Sequence, residues 1–259
     1  MKAKKSLGQN FISDPGLIYS IVEASGATEN DKVLEIGPGR GALTTELAET
    51  AKHVTAVELD TDLIAPLRTI FALKDNVEIV HADILEYEVP DDTDIIIGNL
   101  PYYITTPIIL GLFEKGCPAR SMTFMVQKEV AERIVSGPGG KDYGVLSVSV
   151  QYYAEPSYEL DVPSEYFNPR PKVDSAVVNL KLKNERALAP GEEQQFFELV
   201  KKAFSQRRKT LANSLVGYNG FAKDQVIEIM QSVDIDAARR PETLSQEEFI
   251  KLYRAIKSL

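Results

Sequence analysis

The sequence lacks several features that would assign it to other classes of protein. Its only cysteine is Cys117, so no disulfide bond can form within the chain. Its apolar runs, such as residues 107–113, are far too short to cross a bilayer. The first residues, MKAKKSLGQNF, are basic and lack the apolar stretch of a signal peptide. We therefore expect a soluble protein of the cytoplasm.

Basic residues are also fewer than acidic residues. The chain has 29 Lys and Arg against 38 Asp and Glu, which gives a net charge of −9 at pH 7. That sum disfavours a nucleic-acid partner, but binding needs only a local basic patch. Two clusters qualify, and each is also typical of a solvated tail or helix face. Their members are Lys2, Lys4 and Lys5 at the start, and Lys201, Lys202, Arg207, Arg208 and Lys209 later.

Strand-like and helix-like segments alternate through the first two thirds of the 259 residues. This alternation predicts a doubly wound, mostly parallel sheet with helices on both faces and antiparallel strands at its edge. A helix over residues 15–25 precedes it, with Asp14 as its cap. Pro66 predicts a kink or a break in the helix that contains it. Residues 145–154 are ambiguous, although their β-branched content favours a strand.

A polar stretch at residues 184–195 has the composition of a linker, and the pattern beyond it is helical. We expect helices over residues 194–204, 208–215, 223–232 and 246–259. The chain is therefore predicted to contain a sheet domain over residues 1–184 and a small all-helical domain over residues 185–259.

A glycine-rich loop, LEIGPGRG, follows the first sheet strand and opens a helix. Gly37 and Gly39 begin a dinucleotide fingerprint whose third position is Ala42, which the fingerprint tolerates. Glu58 ends the next strand about 20 residues further on, where an acid can accept hydrogen bonds from ribose hydroxyls. The loop alone is weak evidence, but with Glu58 it predicts a nucleoside cofactor. The pattern fits both NAD and S-adenosylmethionine.

Two further acids bear on the cofactor. Glu35 lies two residues before Gly37, where it would repel a pyrophosphate but not the cationic methionine portion of S-adenosylmethionine. Asp83 ends the third strand, where its carboxylate would accept a proton from the adenine amino group. Asp83 is equally typical of a helix cap, and the sequence leaves both interpretations open.

The hexapeptide GNLPYY, residues 98–103, follows the fourth strand. The amino group of adenine is a poor nucleophile because its lone pair is delocalised into the ring. Acceptors for both of its N–H bonds would favour a tetrahedral nitrogen. The side-chain oxygen of Asn99 and the backbone oxygen of Leu100 are suitable acceptors, with Pro101 fixing the backbone. Tyr102 offers a ring on which a flipped base can stack. In isolation the hexapeptide would be interpreted as a β-turn.

With these stretches together, the chain resembles the ribosomal RNA adenine dimethyltransferase family of the kasugamycin-sensitivity type, over nearly its full length. The matching stretches are SLGQNFISDP, LEIGPGRGALT, VELD, GNLPYYITTPI, KDYGVLSV, FNPRPKVDSAVV and FSQRRKTLANSL. The resemblance implies a class I methyltransferase domain with a helical C-terminal domain. It also implies dimethylation of two adjacent adenosines near the 3′ end of small-subunit ribosomal RNA, late in subunit assembly.

The resemblance also implies roles for individual residues. Asn10 and Ile12 belong to a segment that folds over the cofactor in the family, where Leu is usual at position 12. Phe167 is similar to a second stacking aromatic opposite Tyr102, although a core Phe before a Pro-rich turn is the plainer interpretation. The cofactor contacts carried over are Gly37, Glu58, Asp83 and Asn99. The RNA contacts expected are Lys4, Lys5, Lys201, Arg207, Arg208 and Lys209. We expect no metal, a monomer, and an immature small ribosomal subunit as partner.

Three alternatives remain open from the sequence. The first is a related methyltransferase acting on an adenine of large-subunit RNA or DNA, against which FSQRRKTLANSL argues. The second is an assembly or RNA-binding factor in which binding matters more than catalysis. The third is an NAD enzyme, for which no acid or base for hydride transfer is visible.

Overall fold

The computed structural model describes residue 4, residues 8–206 and residues 208–259. These residues form two units. The first takes the described residues up to Ala131 together with Ala154–Leu182, and the second takes Glu132–Tyr153 with Lys183–Leu259. Residues 132–153, predicted to belong to the sheet domain, thus cluster with the helical unit. The division of functions between residues 1–184 and 185–259 stays a prediction.

The first unit is built on a seven-stranded sheet with the order β4-β3-β2-β5-β6-β9-β7. The five strands from β4 to β6 are parallel, and β9 is antiparallel to both of its neighbours. The strands are β1 (Phe11–Ile12), β2 (Lys32–Ile36), β3 (His53–Glu58), β4 (Val77–His81), β5 (Ile95–Asn99), β6 (Ser121–Gln127), β7 (Ala154–Val162), β8 (Phe167–Asn168) and β9 (Ser175–Leu182). The predicted doubly wound sheet with antiparallel strands at its edge is confirmed.

Helices flank most of the parallel strands, although residues 82–94 connect β4 to β5 without a helix. They are α1 (Pro15–Ser25), α2 (Ala42–Thr50), α3 (Thr61–Ile70) and α4 (Thr105–Glu114), with α5 (Lys128–Val135) leading from the first unit into the second. Asp14 caps α1 by accepting a hydrogen bond from the N–H of Leu17 at 2.8 Å. Helix α3 continues through Pro66, so the alternative of a break there is wrong. Buried Leu63, Ile64 and Leu67 hold α3 against the sheet on both sides of the proline.

The central strands carry the core because both faces of the sheet are covered. Ile95, Ile96 and Ile97 of β5 are fully buried, as expected for a continuous apolar run in a parallel sheet. The carboxyl ends of β2, β3, β4 and β5 meet at one edge, which is where an open parallel sheet binds ligands.

The second unit is helical. Its helices, after the end of α5, are α6 (Val145–Tyr153), α7 (Glu193–Ala203), α8 (Leu211–Leu215), α9 (Lys223–Ser232) and α10 (Gln246–Lys257). Its core contains Tyr152, Phe196 and Phe249, all nearly inaccessible to solvent. Among the described residues, no helix combines the length and the apolar character needed to cross a membrane.

In this unit one ambiguous segment is resolved and one predicted boundary is wrong. Residues 145–153 form helix α6 and not the strand that their β-branched content favours. Most of these residues are buried, so no polar face marks the period of the helix. The hydroxyl of Ser147 accepts a hydrogen bond from the N–H of Gly144, just before the helix, at 3.1 Å. Helix α8 begins at Leu211 rather than Arg208, because Thr210 has extended backbone angles and caps the helix through its hydroxyl.

Candidate active site

A cavity in the first unit opens at the carboxyl ends of the parallel strands. It brings together almost every residue that the sequence predicts to bind a cofactor or an adenine. Those residues are Asn10, Ile12, Gly37, Glu58, Asp83, Asn99, Leu100, Pro101 and Tyr102, joined by Glu35. They come from separate segments of the chain, and the sheet topology alone makes them neighbours.

The glycine loop forms the floor of the cavity between β2 and α2. Gly37, Gly39 and Gly41 have φ angles of 68°, 59° and 83°, which favour glycine. The N–H of Gly37 donates to the carbonyl of Val57 at 2.9 Å and ties the loop to β3. A Cβ on Gly37 would meet nothing within 4 Å, so its backbone is open to a ligand.

Glu58 lies at the end of β3 and is fixed from two sides. Its Oε2 accepts a hydrogen bond from the N–H of Gly39 at 3.2 Å, and its Oε1 accepts one from the N–H of Asp60 at 2.7 Å. Burial raises the pKa of Glu58, and these two hydrogen bonds oppose that shift. The carboxylate is therefore preset in one orientation at the cavity wall.

Glu35 is a buried acid at the end of β2, with 1% of its surface exposed. The hydroxyl of Thr44 donates to its Oε2 at 2.5 Å. Burial, together with the nearby Glu58, raises the pKa of Glu35 to about 7. A cationic ligand beside Glu35 would favour its ionised form, whereas an anionic one would be repelled.

Asp83 follows β4 at the cavity edge. The N–H of Leu85 donates to its Oδ1 at 2.9 Å, which is the contact of a local turn cap. Among the residues that the structure describes, none donates a hydrogen bond to Oδ2. The structure thus shows Asp83 as a local cap, and its contact with the adenine amino group stays a prediction.

The segment before α1 lies against the cavity and is held by polar contacts. Lys4 Nζ forms ion pairs with Asp60 and Asp62, each at 2.6 Å. Gln9 Nε2 donates to the other oxygen of Asp60 at 2.7 Å. The hydrogen bond to Asp60 raises the pKa of Lys4. Lys4, predicted to bind RNA, therefore has an internal partner.

The Asn99 side chain is oriented by the same segment. Its Nδ2 donates to the carbonyl of Asn10 at 2.9 Å, so its Oδ1 remains as the acceptor.

Leu100 is anchored to β6 because its N–H donates to the carbonyl of Met125 at 3.1 Å. The carbonyl of Pro101 accepts hydrogen bonds from the N–H of Ile104 and the hydroxyl of Thr105, both at 3.1 Å, and these close the turn.

Tyr102 lies at the cavity with its hydroxyl 2.7 Å from the hydroxyl of Ser175. Burial raises its pKa, so it stays a neutral phenol near pH 7. A fixed, neutral aromatic ring is a suitable surface for a base.

Phe167 is not brought to the cavity. It is 4% exposed, pairs with Ile12 across β1 and β8, and packs in the core with Leu17 and Ile21. Among the described residues that line the cavity, Phe167 is absent. This placement suits the plainer interpretation of a core aromatic before a Pro-rich turn, and its stacking role stays a prediction.

The predicted RNA contacts lie outside the cavity. Lys201 lies in the last turn of α7, whereas Arg208 and Lys209 lie in the turn before α8, and all three are exposed. Lys201 and Arg208 therefore do not share a helix, because α7 ends at Ala203. Lys5 and Arg207 lie outside the described residues. Among the described residues, no three His, Cys, Asp or Glu side chains converge to hold a metal ion.

Sequence reasoning missed three residues that shape the site. Thr44 bonds Glu35, Asp60 joins Glu58 to Lys4 and Gln9, and Ser175 bonds Tyr102. Asp60 could have been identified from the sequence, because it follows Glu58 by two residues in VELD. The link to Ser175 depends on the register of the antiparallel strands β6 and β9, which no local pattern reveals.

Known proteins are similar to this chain in both sequence and fold. The sequence profile of the family described as ribosomal RNA adenine dimethylase matches residues 1–257. The chain is 46% identical over 261 residues to ribosomal RNA small subunit methyltransferase A of Bacillus licheniformis, which covers 96% of this chain and 89% of that protein. The protein of the same name from Clostridioides difficile is 42% identical over 265 residues, covering 99% and 92%.

Two solved structures are similar over almost the whole chain. The dimethyladenosine transferase from Plasmodium falciparum superposes with a TM-score of 0.85 at 26% identity, covering 96% of this chain and 98% of that one. The 23S rRNA methyltransferase ErmE superposes with a TM-score of 0.76 at 27% identity, covering 96% and 100%.

Proposed function

This chain belongs to the ribosomal RNA adenine dimethylase family, and from that premise we propose that it dimethylates two adjacent adenosines of small-subunit ribosomal RNA at N6. The methyl donor is S-adenosylmethionine. The adenosines lie near the 3′ end of the RNA, and the partner is an immature small subunit late in assembly. The protein acts as a monomer in the cytoplasm. The 46% identity to a small subunit methyltransferase supports this choice of target.

One observation carries the proposal. The Asn99 amide is oriented by Asn10 so that its Oδ1 is left as an acceptor, and Tyr102 lines the same cavity. An amide acceptor beside an aromatic ring suits an aromatic amine, which offers two N–H bonds in the plane of a flat ring. The glycine loop and Glu58 line the same cavity and suit a nucleoside.

The cavity walls fit S-adenosylmethionine better than NAD. Three acids, Glu35, Glu58 and Asp83, line it, and Glu35 is buried without an internal cation among the described residues. Glu58 suits the ribose hydroxyls, the open backbone at Gly37 suits the methionine portion, and Asp83 Oδ2 suits the adenine amino group. A pyrophosphate would meet these three carboxylates and one cation, Arg40, among the described residues that line the cavity. When bound, the cofactor supplies a methyl group made electrophilic by a sulfonium.

The protein's own residues then act on the target adenine. In the first transfer, Asn99 Oδ1 and the carbonyl of Leu100 accept hydrogen bonds from the two N6–H groups and draw the lone pair out of the ring. In the second transfer one N6–H group remains for these acceptors. These acceptors would favour a tetrahedral amino nitrogen, whose lone pair would then be available to the methyl group that the sulfonium supplies and releases. Tyr102 holds the ring by stacking, and the closed turn at Pro101 keeps both acceptors in place. The displaced proton leaves to solvent, because neither amide oxygen is basic enough to retain it.

The basic residues at the end of α7 and in the turn before α8, together termed the basic turn, support an RNA partner. Lys201, Lys202, Arg208 and Lys209 form no ion pair with any residue that the structure describes, although the chain is acidic overall. In the same unit, Arg239 pairs with Glu248. Cations that form no ion pair within the protein suit the phosphates of a large RNA. Arg207 and Lys5 are expected to add to this binding.

The test is methylation of defined RNAs. Small subunits lacking the modification are incubated with the protein and isotopically labelled S-adenosylmethionine, and the RNA is digested for mass spectrometry. We expect labelled dimethyladenosine from two adjacent positions near the 3′ end. Large-subunit RNA and DNA serve as competing substrates, and label appearing there instead would contradict the proposed target. Binding without any label would favour an assembly factor.

A further inference from the structure

Tyr103 is an exposed aromatic residue at the cavity that the mechanism above does not use. It is 60% exposed, whereas its neighbour Tyr102 is partly buried and bonded to Ser175. The Tyr103 hydroxyl makes no hydrogen bond to any residue that the structure describes. Exposing a large ring to water is unfavourable, so a ring kept at the rim of a binding cavity calls for an explanation.

The ring of Tyr103 is held in position from one side. A Cβ added to Gly8 would lie 3.3 Å from Cδ1 of Tyr103 and 3.5 Å from Cβ of Pro101. Gly8 has a φ of 61°, a conformation that favours glycine and lets its backbone approach the ring. Tyr103 also comes just before α4, whose first residues close the turn on Pro101. The ring is therefore braced by backbone while much of its surface stays open.

We propose that Tyr103 stacks on the base next to the adenine held in the cavity. This inference rests on the proposed function, because it needs a nucleic-acid strand with one base flipped out. Flipping removes a stacking partner from the neighbouring base and exposes its apolar face. An aromatic side chain at the cavity rim replaces that partner, as the stacking platforms of single-strand binding proteins do.

The adjacency of the two target adenosines gives this position a specific use. Because the strand has one polarity, Tyr103 meets the neighbour on the same side of the flipped base in every round. That neighbour is the other target adenosine in one round, either unmodified or already dimethylated, and a different base in the other round. Stacking tolerates all of these, because it uses the face of the ring, whereas hydrogen-bond readout of an amino group would not. Tyr103 therefore holds the neighbouring base in both rounds of transfer and contributes to RNA affinity without contacting the methyl group.

The test compares Tyr103→Ala with Tyr103→Phe and Tyr103→Leu. Tyr19→Ala is the matched control, since Tyr19 lies in α1, is 56% exposed and does not line the cavity. Initial methylation rates are measured against the concentration of unmodified small subunits. Cofactor affinity is measured by calorimetry, and mono- and dimethyladenosine at each position by mass spectrometry. We expect Tyr103→Ala to raise KM for the subunit about tenfold, the scale of removing one aromatic ring from a stacked base.

The variants separate stacking from a structural role. Under the proposal, Tyr103→Phe behaves as wild type, Tyr103→Leu resembles Tyr103→Ala, and cofactor affinity is unchanged in all of them. If Tyr103→Leu restores wild-type behaviour, or if cofactor affinity falls with KM, the ring only braces Gly8 and the proposal is wrong. Equal KM values for Tyr103→Ala and Tyr19→Ala overturn it as well. Failure of the wild-type protein to methylate small subunits would contradict the proposed function instead.

Discussion

The cavity and the basic turn differ in how their charged side chains are held. At the cavity, Glu58 accepts two backbone hydrogen bonds and Glu35 accepts one from Thr44. At the basic turn, Arg208 and Lys209 are exposed and form no ion pair with a described residue. A preset orientation suits a small ligand that must be positioned within a fraction of an ångström, whereas unpaired surface cations suit phosphates whose positions vary. The comparison predicts that the hydrogen-bonded acids of the cavity govern cofactor affinity, whereas the basic turn, like Tyr103 at the cavity rim, contributes to RNA affinity.

The largest expected effect is at Asn99. Asn99→Ala removes the acceptor for the amino group, and removal of one such interaction costs about a hundredfold or more in rate. We expect RNA affinity and the free energy of unfolding to change little. Single-turnover methylation with saturating cofactor measures the rate, and Asn30→Ala, an exposed change in the same unit, is the control. Near-normal turnover would show that the acceptor is elsewhere.

The next largest expected effect is a dependence of folding stability on pH, caused by Glu35. Because the pKa of Glu35 rises from 4.5 to about 7 on folding, the folded state binds more protons between these values. Stability should therefore be greatest below pH 4.5 for this group and fall as the pH rises towards 7. The loss approaches roughly 3 kcal/mol in the unliganded protein. Denaturant unfolding between pH 5 and 7.5 should show this loss in the wild type but not in Glu35→Gln.

Two additions sharpen that measurement. Glu29→Gln changes an exposed acid and should keep the wild-type pH dependence. A cationic cofactor should favour ionised Glu35, so its binding should strengthen as the pH rises through 7 in the wild type more than in Glu35→Gln. Identical pH profiles for wild type and Glu35→Gln would mean that Glu35 does not titrate in this range.

A smaller effect is expected at Glu58. Replacing it by Gln puts an amide donor against the N–H of Gly39 or Asp60 and removes the charge that suits ribose hydroxyls. Cofactor binding should weaken by roughly 1–3 kcal/mol, the scale of an unsatisfied buried polar group. Calorimetry measures this, with exposed Glu88→Gln as the control. Heat of tight binding on titration with NAD would contradict the cofactor assignment.

The smallest effect at moderate salt is expected at the basic turn. Arg208→Ala with Lys209→Ala should lower the slope of log affinity against log salt for immature small subunits by about two, one for each phosphate that is no longer neutralised. Cofactor affinity should be unchanged. The control is Lys223→Ala with Lys251→Ala, which removes two exposed cations from the same unit. Equal slopes for the two double variants would show that the basic turn is a solvated surface that does not contact RNA phosphates.

Local sequence signals predicted the cavity better than they predicted the helical unit. The glycine loop, Glu58 and Asn99 each follow a strong strand pattern, and the parallel topology then brings them to one edge of the sheet. Helix α6 was missed because nearly all of its residues are buried, so no polar face marks its period. The positions of Phe167 and Ser175 depend on pairing between distant strands, which is a tertiary property.

The position of β9 between β6 and β7 has a consequence for the order in which the chain is made. β6 leaves the ribosome with one edge unpaired, and β7 follows with no neighbour in the sheet until β9 has been synthesised. Throughout that interval the nascent chain presents the backbone of a strand whose residues up to Val126 are all destined for burial. Such an edge is a template for aggregation. A fragment that ends between Gln127 and Ser175 carries the same open edge, so we expect it to aggregate through the strand that lacks its neighbour.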